Sequence, residues 1–304
     1  MTFSPFAPGI SRRDLLVRAA ATASLVAGAP GPGWAAARRP AQAREAPFRL
    51  PFRLRQSVCR WPFSDIPDPE FYPAVKALGF DAVDLLTEKE WPLAEAAGLT
   101  CSMAMPTERR DFIRRGLNDR ANHSLLLGEL ERTILAAKQH GIERVIAMIG
   151  NRNGRSDADG LAACAEGLRQ LVPLAEEQGI TICLELLNSR VDHQDFMGDR
   201  MSFGLQLMYT VNSPRIRLLY DIYHMQIMDG DIIRTIQDQS HRISHYHPAG
   251  NPGRNELDHG QELQYGAIAR AIAETGHTGW IAHEFIPTRD WKAGLAEARG
   301  VCGG

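Results

Sequence analysis

The sequence predicts a single (β/α)8 TIM barrel that follows a separate N-terminal segment. Three observations support this fold class. Beyond residue 43 the chain has about 260 residues, the usual size of one such barrel. Within them, short apolar runs rich in β-branched residues alternate eight times with amphipathic helical patterns. Glycines such as Gly79, Gly141 and Gly179 close helical patterns just before the next strand, where a left-handed C-cap is typical.

Residues 1–43 resemble a twin-arginine export signal. Arg12 and Arg13 precede a weakly apolar stretch at 19–29, and small-residue cleavage sites follow at 35–37 and 41–43. A short amphipathic helix with an Ala/Pro/Gly linker is the alternative. We expect residues 1–43 to be a signal peptide and linker and residues 44–304 to be the barrel. The twin-arginine export machinery would then be a partner, and the protein would be exported to the periplasm.

The strand and helix patterns can be placed in order along the chain. Their alternation predicts parallel strands with helices outside. A doubly wound open sheet is the alternative, but no GxGxxG motif follows the first strand, so the barrel is favoured. The predicted strands lie at residues 56–60, 82–86, 100–105, 144–148, 181–187, 216–220, 243–247 and 280–285, and the clearest helical patterns at 71–78, 122–140, 161–178 and 265–274.

Polar residues stand at the C-terminal ends of the last four predicted strands, namely Glu185, Asp221, His247 and Glu284. Because strand side chains alternate, all four can point to the barrel axis at the same end. Taken singly, each is more often a helix cap, an ion-pair partner or a satisfied core residue. Taken together, three carboxylates would repel one another unless a divalent cation neutralises them. Three carboxylates with one imidazole suit Mn²⁺ or Mg²⁺.

Two further histidines lie close to this set in the sequence. His283 precedes Glu284, so alternation turns it towards the helix layer and predicts a structural role. His245 shares its direction with His247 but lies one layer deeper, where it can orient a metal ligand.

Three side chains in loops are candidates for substrate binding. His224 follows Asp221 by three residues, so it can reach a substrate hydroxyl or only cap a loop. In the glycine-rich loop after the seventh strand, Arg254 can clamp a substrate carboxylate or a pair of hydroxyls, and Glu256 can orient the arginine. A solvated turn with an ion pair between Arg254 and Glu256 is the alternative.

Composition excludes several classes of protein. The 34 Lys and Arg residues nearly balance the 36 Asp and Glu residues, and the formal net charge of −2 argues against nucleic acid as a partner. No run of eighteen apolar residues is present, so no membrane-spanning helix is expected. The five cysteines are scattered, which fits neither a disulfide scaffold nor a zinc knuckle, and we expect their thiols to be packed in the core.

Four segments carry a family resemblance: 184–188 (LELLN), 220–224 (YDIYH), 245–254 (HYHPAGNPGR) and 279–285 (GWIAHEF). Through them, most of residues 50–300 resembles the xylose isomerase-like TIM-barrel superfamily, and within it the hydroxypyruvate isomerase-like branch. The resemblance implies that Glu185, Asp221, His247 and Glu284 hold a divalent metal and that the two glutamates exchange protons with substrate. Hydroxypyruvate isomerases proper usually carry glutamine where this chain has His247, whereas ketose 3-epimerases carry histidine there.

The leading functional hypothesis is a metal-dependent isomerase of a small hydroxycarbonyl substrate, similar to hydroxypyruvate isomerase. This intramolecular oxidoreductase would work by enediolate proton transfer between Glu185 and Glu284. One alternative is a ketose 3-epimerase or related sugar epimerase or dehydratase. Another class of protein, a non-catalytic periplasmic sugar-binding protein, also stays open. An AP endonuclease or phosphodiesterase is disfavoured, because it would need three metals, more histidine ligands and a basic face. Relatives often form dimers or tetramers, but no sequence feature decides whether this chain is a homo-oligomer.

Overall fold

The computed structural model of the protein describes residues 53–303, which form one barrel of alternating strands and helices. The predicted signal peptide and linker at residues 1–43 lie outside the described residues. Among the described helices, none is both long and apolar enough to span a bilayer.

Eight parallel strands form the barrel wall, in the spatial order β3-β2-β1-β8-β7-β6-β5-β4. The predicted TIM barrel is confirmed. The strands are β1 (Arg55–Cys59), β2 (Ala82–Asp84), β3 (Thr100–Cys101), β4 (Arg144–Ala147), β5 (Thr181–Glu185), β6 (Ile216–Asp221), β7 (Ile243–His247) and β8 (Trp280–His283).

The wall closes between β3 and β4 through one residue. The Ala104 amide donates to the Arg144 carbonyl at 2.9 Å, and the Ala104 carbonyl accepts from the Ile146 amide at 3.0 Å. The predicted third strand at 100–105 is therefore interrupted, because Ser102 and Met103 form a bend before pairing resumes at Ala104. At this bend the Ser102 hydroxyl donates a hydrogen bond to the Asp84 carboxylate inside the barrel.

Helices cover the outside of the strands. In the described residues they are α1 (Asp68–Ala77), α2 (Trp91–Ala96), α3 (His123–Gln139), α4 (Asp157–Gln178), α5 (Met201–Val211), α6 (Ile222–Met228), α7 (Ile232–Gln239), α8 (Tyr265–Glu274) and α9 (Trp291–Val301). The ends of α4 follow from its sequence. Ser156 accepts a hydrogen bond from the Asp159 amide at the N-terminus, and Gly179 takes a left-handed conformation with φ of 73° after the C-terminus.

An aromatic cluster packs beside the C-terminal ends of β1 and β8. The Phe63 ring meets the Phe285 ring edge-on at 5.7 Å and lies 5.9 Å from the Trp291 ring. Phe63 and Phe285 are almost fully buried. Since Phe285 follows Glu284 directly, this packing fixes the backbone on which that glutamate stands.

Candidate metal centre and active site

The structure brings together Glu185, Asp221, His247 and Glu284 at the C-terminal end of the barrel. The first three end β5, β6 and β7, and Glu284 follows β8. One ligand atom from each side chain lies within 4.8 Å of the others, and none of the four residues is more than 4% exposed. The four acidic and imidazole groups are thus collected on adjacent strands of the wall.

The donor atoms of this cluster fit a divalent cation. The His247 Nδ1 atom lies 2.9 Å from Glu284 Oε2 and 3.3 Å from Glu185 Oε1. Both His247 Nδ1 and Glu185 Oε1 are buried without a hydrogen-bond partner of good geometry among the described residues. Burying a polar atom without a hydrogen-bond partner costs free energy, and coordination of a cation would give both atoms a partner. Carboxylate oxygens with one imidazole nitrogen are ligands that Mg²⁺ and Mn²⁺ accept.

Arg254 reaches into the same cluster. Its Nη2 atom donates to Asp221 Oδ2 at 3.1 Å and to Glu284 Oε2 at 2.6 Å. The loop that carries it is held to the segment after β8, because the Ile286 amide donates to the Arg254 carbonyl at 2.7 Å. Arg254, which we predicted to bind substrate, therefore pairs with the carboxylates of Asp221 and Glu284.

Burial and charge pull the pKa values of the three carboxyls apart. Burial raises the pKa of Glu185, and it raises the pKa of Asp221 well above its usual value despite Arg254. Burial opposes ionisation of Glu284 as well, but Arg254 and His247 hold the pKa of this carboxyl well below its usual value. At a given pH, Glu185 is therefore protonated more readily than Glu284.

His224, in the first turn of α6, contacts Asp221. The backbone amide of His224 donates to Asp221 Oδ1 at 3.0 Å, and this hydrogen bond caps the N-terminus of α6. The His224 Nε2 atom is 3.6 Å from Asp221 Oδ2. The Asn188 side-chain nitrogen is 2.6 Å from His224 Nδ1. His224 is fully buried, and its contacts among the described residues tie it to Asp221. Its role in substrate binding stays a prediction.

The predicted role of Glu256 in orienting Arg254 is wrong. Its carboxylate instead accepts from the Thr288 amide at 2.8 Å and from the Thr288 hydroxyl at 2.9 Å. Arg289 lies 4.0 Å away on the same side. The loop turns Glu256 away from the barrel axis, so this residue fixes the segment after β8 rather than the substrate.

Asp84 is a site residue that sequence reasoning missed. It ends β2, is fully buried, and its Oδ2 accepts from His247 Nε2 at 2.9 Å. His245, which we expected to orient a ligand, lies with its Nε2 3.2 Å from Asp84 Oδ1. Burial alone would raise the pKa of Asp84, but His245 and then His247 hold it below its usual value. A signal was present, since a carboxylate interrupts the apolar run at 82–86.

Trp61 and His193 are two further residues of the site that sequence reasoning missed. The Trp61 indole donates to Glu284 Oε1 at 2.5 Å, and His193 lines the cavity above the cluster. No local sequence pattern marks either residue.

His283 faces outward from the barrel axis, with its Nε2 atom 2.8 Å from Gln56 Oε1, as strand alternation predicts.

A cavity of about 330 Å³ opens above the cluster. Its base is polar and includes Glu185, Glu284 and Arg254. The opposite wall is mainly apolar, and the remaining lining residues are Trp61, Leu85, Met105, Arg109, Arg110, Phe112, Ile113, Ile146, Met148, Leu187 and His193. The cavity therefore joins a small polar floor to a larger apolar surface, an arrangement typical of small-molecule sites.

A parallel barrel that gathers acidic and imidazole groups at its C-terminal end, next to a cavity, defines a TIM-barrel enzyme whose site could hold a metal ion. The chain belongs to the xylose isomerase-like TIM barrel family, whose family model matches residues 72–301.

Two curated relatives are isomerases by name. The chain is 29% identical over 233 residues to the 2-oxo-tetronate isomerase of Cupriavidus necator, covering 74% of this chain and 89% of that protein. It is 27% identical over 163 residues to the hydroxypyruvate isomerase of Escherichia coli, covering 52% and 61% of the two chains. These relatives identify the protein as an isomerase enzyme.

Solved structures share the fold at lower identity. An AP endonuclease, family 2, from Brucella melitensis superposes with a TM-score of 0.73 at 23% identity, covering 80% of this chain and 98% of that chain. A D-psicose 3-epimerase superposes with a TM-score of 0.66 at 16% identity, covering 83% and 100%. These likenesses support the barrel architecture alone.

Proposed function

We propose that the protein is a metal-dependent isomerase of a small hydroxycarbonyl compound, similar in activity to hydroxypyruvate isomerase. The observation that carries the proposal is the convergence of Glu185, Asp221, His247 and Glu284 in one buried cluster, of which Glu185 and Glu284 line the cavity. The isomerases among its relatives support the reaction class. Such a reaction moves a proton between two neighbouring carbons of a hydroxycarbonyl, so it needs groups that accept and return a proton.

Glu185, Asp221, His247 and Glu284 would hold the cation, with Mn²⁺ or Mg²⁺ the best match to their donor atoms. When bound, the cation supplies Lewis-acid stabilisation of the negative charge that develops on the enediolate. Glu185 and Glu284 come from strands three steps apart in the wall, and both line the cavity. One glutamate takes the proton next to the carbonyl, and the other returns a proton to the adjacent carbon.

The remaining residues of the site position the glutamates and the substrate. Arg254 presents a guanidinium at the cavity floor, where it can donate hydrogen bonds to substrate oxygens. Trp61 donates to Glu284 and so restricts its rotation. Burial of the cluster excludes bulk water, which strengthens the electrostatic contacts within it.

A ketose 3-epimerase or related sugar epimerase or dehydratase is the second candidate. In an epimerase the proton returns to the same carbon from the other face. Two observations favour it: the histidine at position 247 and the size of the cavity. A cavity of roughly 150 Å³ holds benzene, and the 330 Å³ found here would hold a sugar of several carbons with room to spare.

The test is a metal-reconstituted substrate screen in heavy water. Purified protein with Mn²⁺ or Mg²⁺ is offered hydroxypyruvate and, separately, a panel of ketoses, and deuterium incorporation is followed by NMR. Deuterium in the product of hydroxypyruvate supports the isomerase, whereas turnover of ketoses alone supports the epimerase. Tight sugar binding with no deuterium incorporation would indicate the non-catalytic binding protein and overturn both.

Substitution of the glutamates tests the assignment of the proton-transfer residues. Glu185→Gln and Glu284→Gln each keep the size of the side chain, and we expect each protein to fold and to lose deuterium exchange. Asp199→Asn is the matched control, because Asp199 is a buried carboxylate that pairs with Arg152 and Ser189 away from the cavity. Retained exchange in Glu185→Gln would contradict the assignment.

We also propose that residues 1–43 direct export through the twin-arginine route to the periplasm. The five cysteines, all free and buried, support this, since folding before export would protect their thiols in an oxidising compartment. Fusion of residues 1–43 to a reporter that functions only after folded export tests the proposal. Replacement of Arg12 and Arg13 by lysine should abolish export, and unchanged export would contradict it.

A further inference from the structure

Asp84 stands out among the buried acidic residues because it lies on the far side of His247 from the acidic cluster. It ends β2, which is separated from β7 in the barrel wall by β1 and β8. Its carboxylate meets His247 Nε2 at 2.9 Å, while His247 Nδ1 faces Glu185 and Glu284. The imidazole thus lies between one carboxylate and the pair of glutamates.

This contact decides which ring nitrogen of His247 keeps its hydrogen when the imidazole is neutral, as it must be to bind a cation. A carboxylate only accepts hydrogen bonds, so the His247 Nε2 atom must be the donor to Asp84. In the neutral imidazole the Nδ1 lone pair is then free, and it points at the acidic cluster. A lone pair in this direction is what a cation ligand requires.

Asp84 is itself held in place from three directions. The Ser102 hydroxyl donates to Asp84 Oδ1. His245 Nε2 lies 3.2 Å from the same oxygen, and the Cys59 thiol donates to Asp84 Oδ2 at 3.6 Å. These partners come from β1, β7 and the bend after β3, and Asp84 is fully buried. The carboxylate therefore has one orientation, and it presents that orientation to His247.

We propose that Asp84 is a positioning residue for the metal centre, which fixes the ring and the tautomer of His247 so that Nδ1 serves as the ligand atom. This inference rests on the proposed function, because it presupposes a cation at the acidic cluster. Carboxylates that hold the second nitrogen of a metal-binding histidine typically contribute about 10- to 100-fold in metal affinity or activity.

The close grouping of Asp84, His245 and His247 admits one rival interpretation, a second cation held by these three side chains. The hydrogen bond between His247 Nε2 and Asp84 already uses the atoms that such an ion would need. The ion count per chain separates the two: one ion agrees with the positioning role, and two ions would overturn it.

The test measures metal binding rather than turnover. Metal-free wild type, Asp84→Ala and Asp84→Asn are titrated with Mn²⁺ by calorimetry, and the visible spectrum of each Co²⁺-loaded protein is recorded. We expect Asp84→Ala to bind Mn²⁺ about 10- to 100-fold more weakly and to show an altered Co²⁺ spectrum. Asp84→Asn keeps an acceptor oxygen without the charge, so its loss should be several-fold smaller.

Gln56→Ala is the control for general damage to the barrel. Gln56 is a buried polar residue of β1 that bonds to His283 and to the Cys302 carbonyl, away from the cluster. Its replacement should lower the unfolding midpoint but leave Mn²⁺ affinity and the Co²⁺ spectrum unchanged. Wild-type affinity and spectrum in the folded Asp84 variants would overturn the inference, with Asp84→Asn deciding if Asp84→Ala does not fold. Absence of Mn²⁺ binding by wild type would instead overturn the proposed function.

Discussion

Arg254 places a positive charge between two acidic groups although its backbone lies in the left-handed region, with φ of 59°. A residue with a side chain is strained there by about 1 to 3 kcal/mol. The hydrogen bonds to Asp221 and Glu284 and the backbone bond to Ile286 hold it in that conformation. Strain of this kind clusters at functional sites, which agrees with the place of Arg254 on the cavity floor.

Replacing Arg254 should make the protein depend on divalent cations for its stability. Arg254→Ala leaves buried Asp221 and Glu284 without their guanidinium partner, and we expect a loss of about 3 to 5 kcal/mol in the free energy of unfolding without metal. Mn²⁺ should then stabilise the variant more than wild type, as measured by urea unfolding with and without the ion. Arg289→Ala, which removes an exposed ion-pair residue, should change little. Equal Mn²⁺ stabilisation of variant and wild type would contradict the prediction.

His283 should make the protein more sensitive to acid. Burial lowers the pKa of His283 to about 3, so the folded chain keeps this imidazole neutral at pH values where the unfolded chain, with an ordinary pKa near 6.5, is protonated. Stability is therefore lost as pH falls from about 6.5 to about 3, by up to about 1.4 kcal/mol per pH unit for this group. His283→Gln cannot titrate, so its unfolding free energy in urea should fall less steeply over the same range. Parallel pH profiles for the two proteins would contradict the pKa assignment.

The sequence could locate four of the site residues because they share one position on consecutive strands. Glu185, Asp221, His247 and Glu284 each end a recognisable apolar run, and parallel strands bring such ends together. Asp84 has the same position on β2 but was overlooked, because it interrupts the middle of a longer predicted strand.

Contacts that depend on loop conformation could not be predicted. Glu256 lies two residues from Arg254, yet the loop turns its carboxylate to Thr288. Trp61 is far from Glu284 in sequence and reaches it only because β1 pairs with β8. Spacing along the chain carries no information about either contact.

Among the individual helices and strands, prediction from sequence was most accurate where the hydrophobic periodicity extends over many residues. The helical pattern at 265–274 has the bounds of α8, and the pattern at 161–178 lies within α4. The third strand was predicted too long, because the sequence pattern does not reveal the bend at Ser102 and Met103. Short strands depend on tertiary partners more than on propensity.

The N-terminal cap of α4 offers a test of local stability. Ser156→Ala removes the hydroxyl that accepts from the Asp159 amide, and we expect a loss of about 1 kcal/mol in the free energy of unfolding. Ser124→Ala is the matched control, because Ser124 is exposed near the start of α3, where alanine favours the helix. Equilibrium urea unfolding of both variants checks the prediction, which an unchanged midpoint in Ser156→Ala would refute.

At the scale of the whole molecule, the barrel sequesters every cysteine of the chain. All five are free and buried, and burial raises the pKa of Cys183 and Cys302 to about 12. We expect no thiol of the native protein to react rapidly with a thiol-specific chromogenic disulfide at pH 8, and all five to react in guanidinium chloride. Rapid reaction of even one thiol in the native protein would show that the folded barrel exposes it.

The ring of strands is held shut at one place by the backbone of Ala104 alone, through two hydrogen bonds. Each of the other neighbouring pairs of strands is joined by at least two residue pairs, so we expect transient opening of the barrel to cost least at this seam. Met105 follows Ala104 directly, Phe112 and Ile113 lie further along the same segment, and all three form part of the cavity wall. We therefore expect local opening at Ala104 to widen the cavity on this side, so that bulkier ligands would be accommodated next to Met105 rather than next to the acidic cluster.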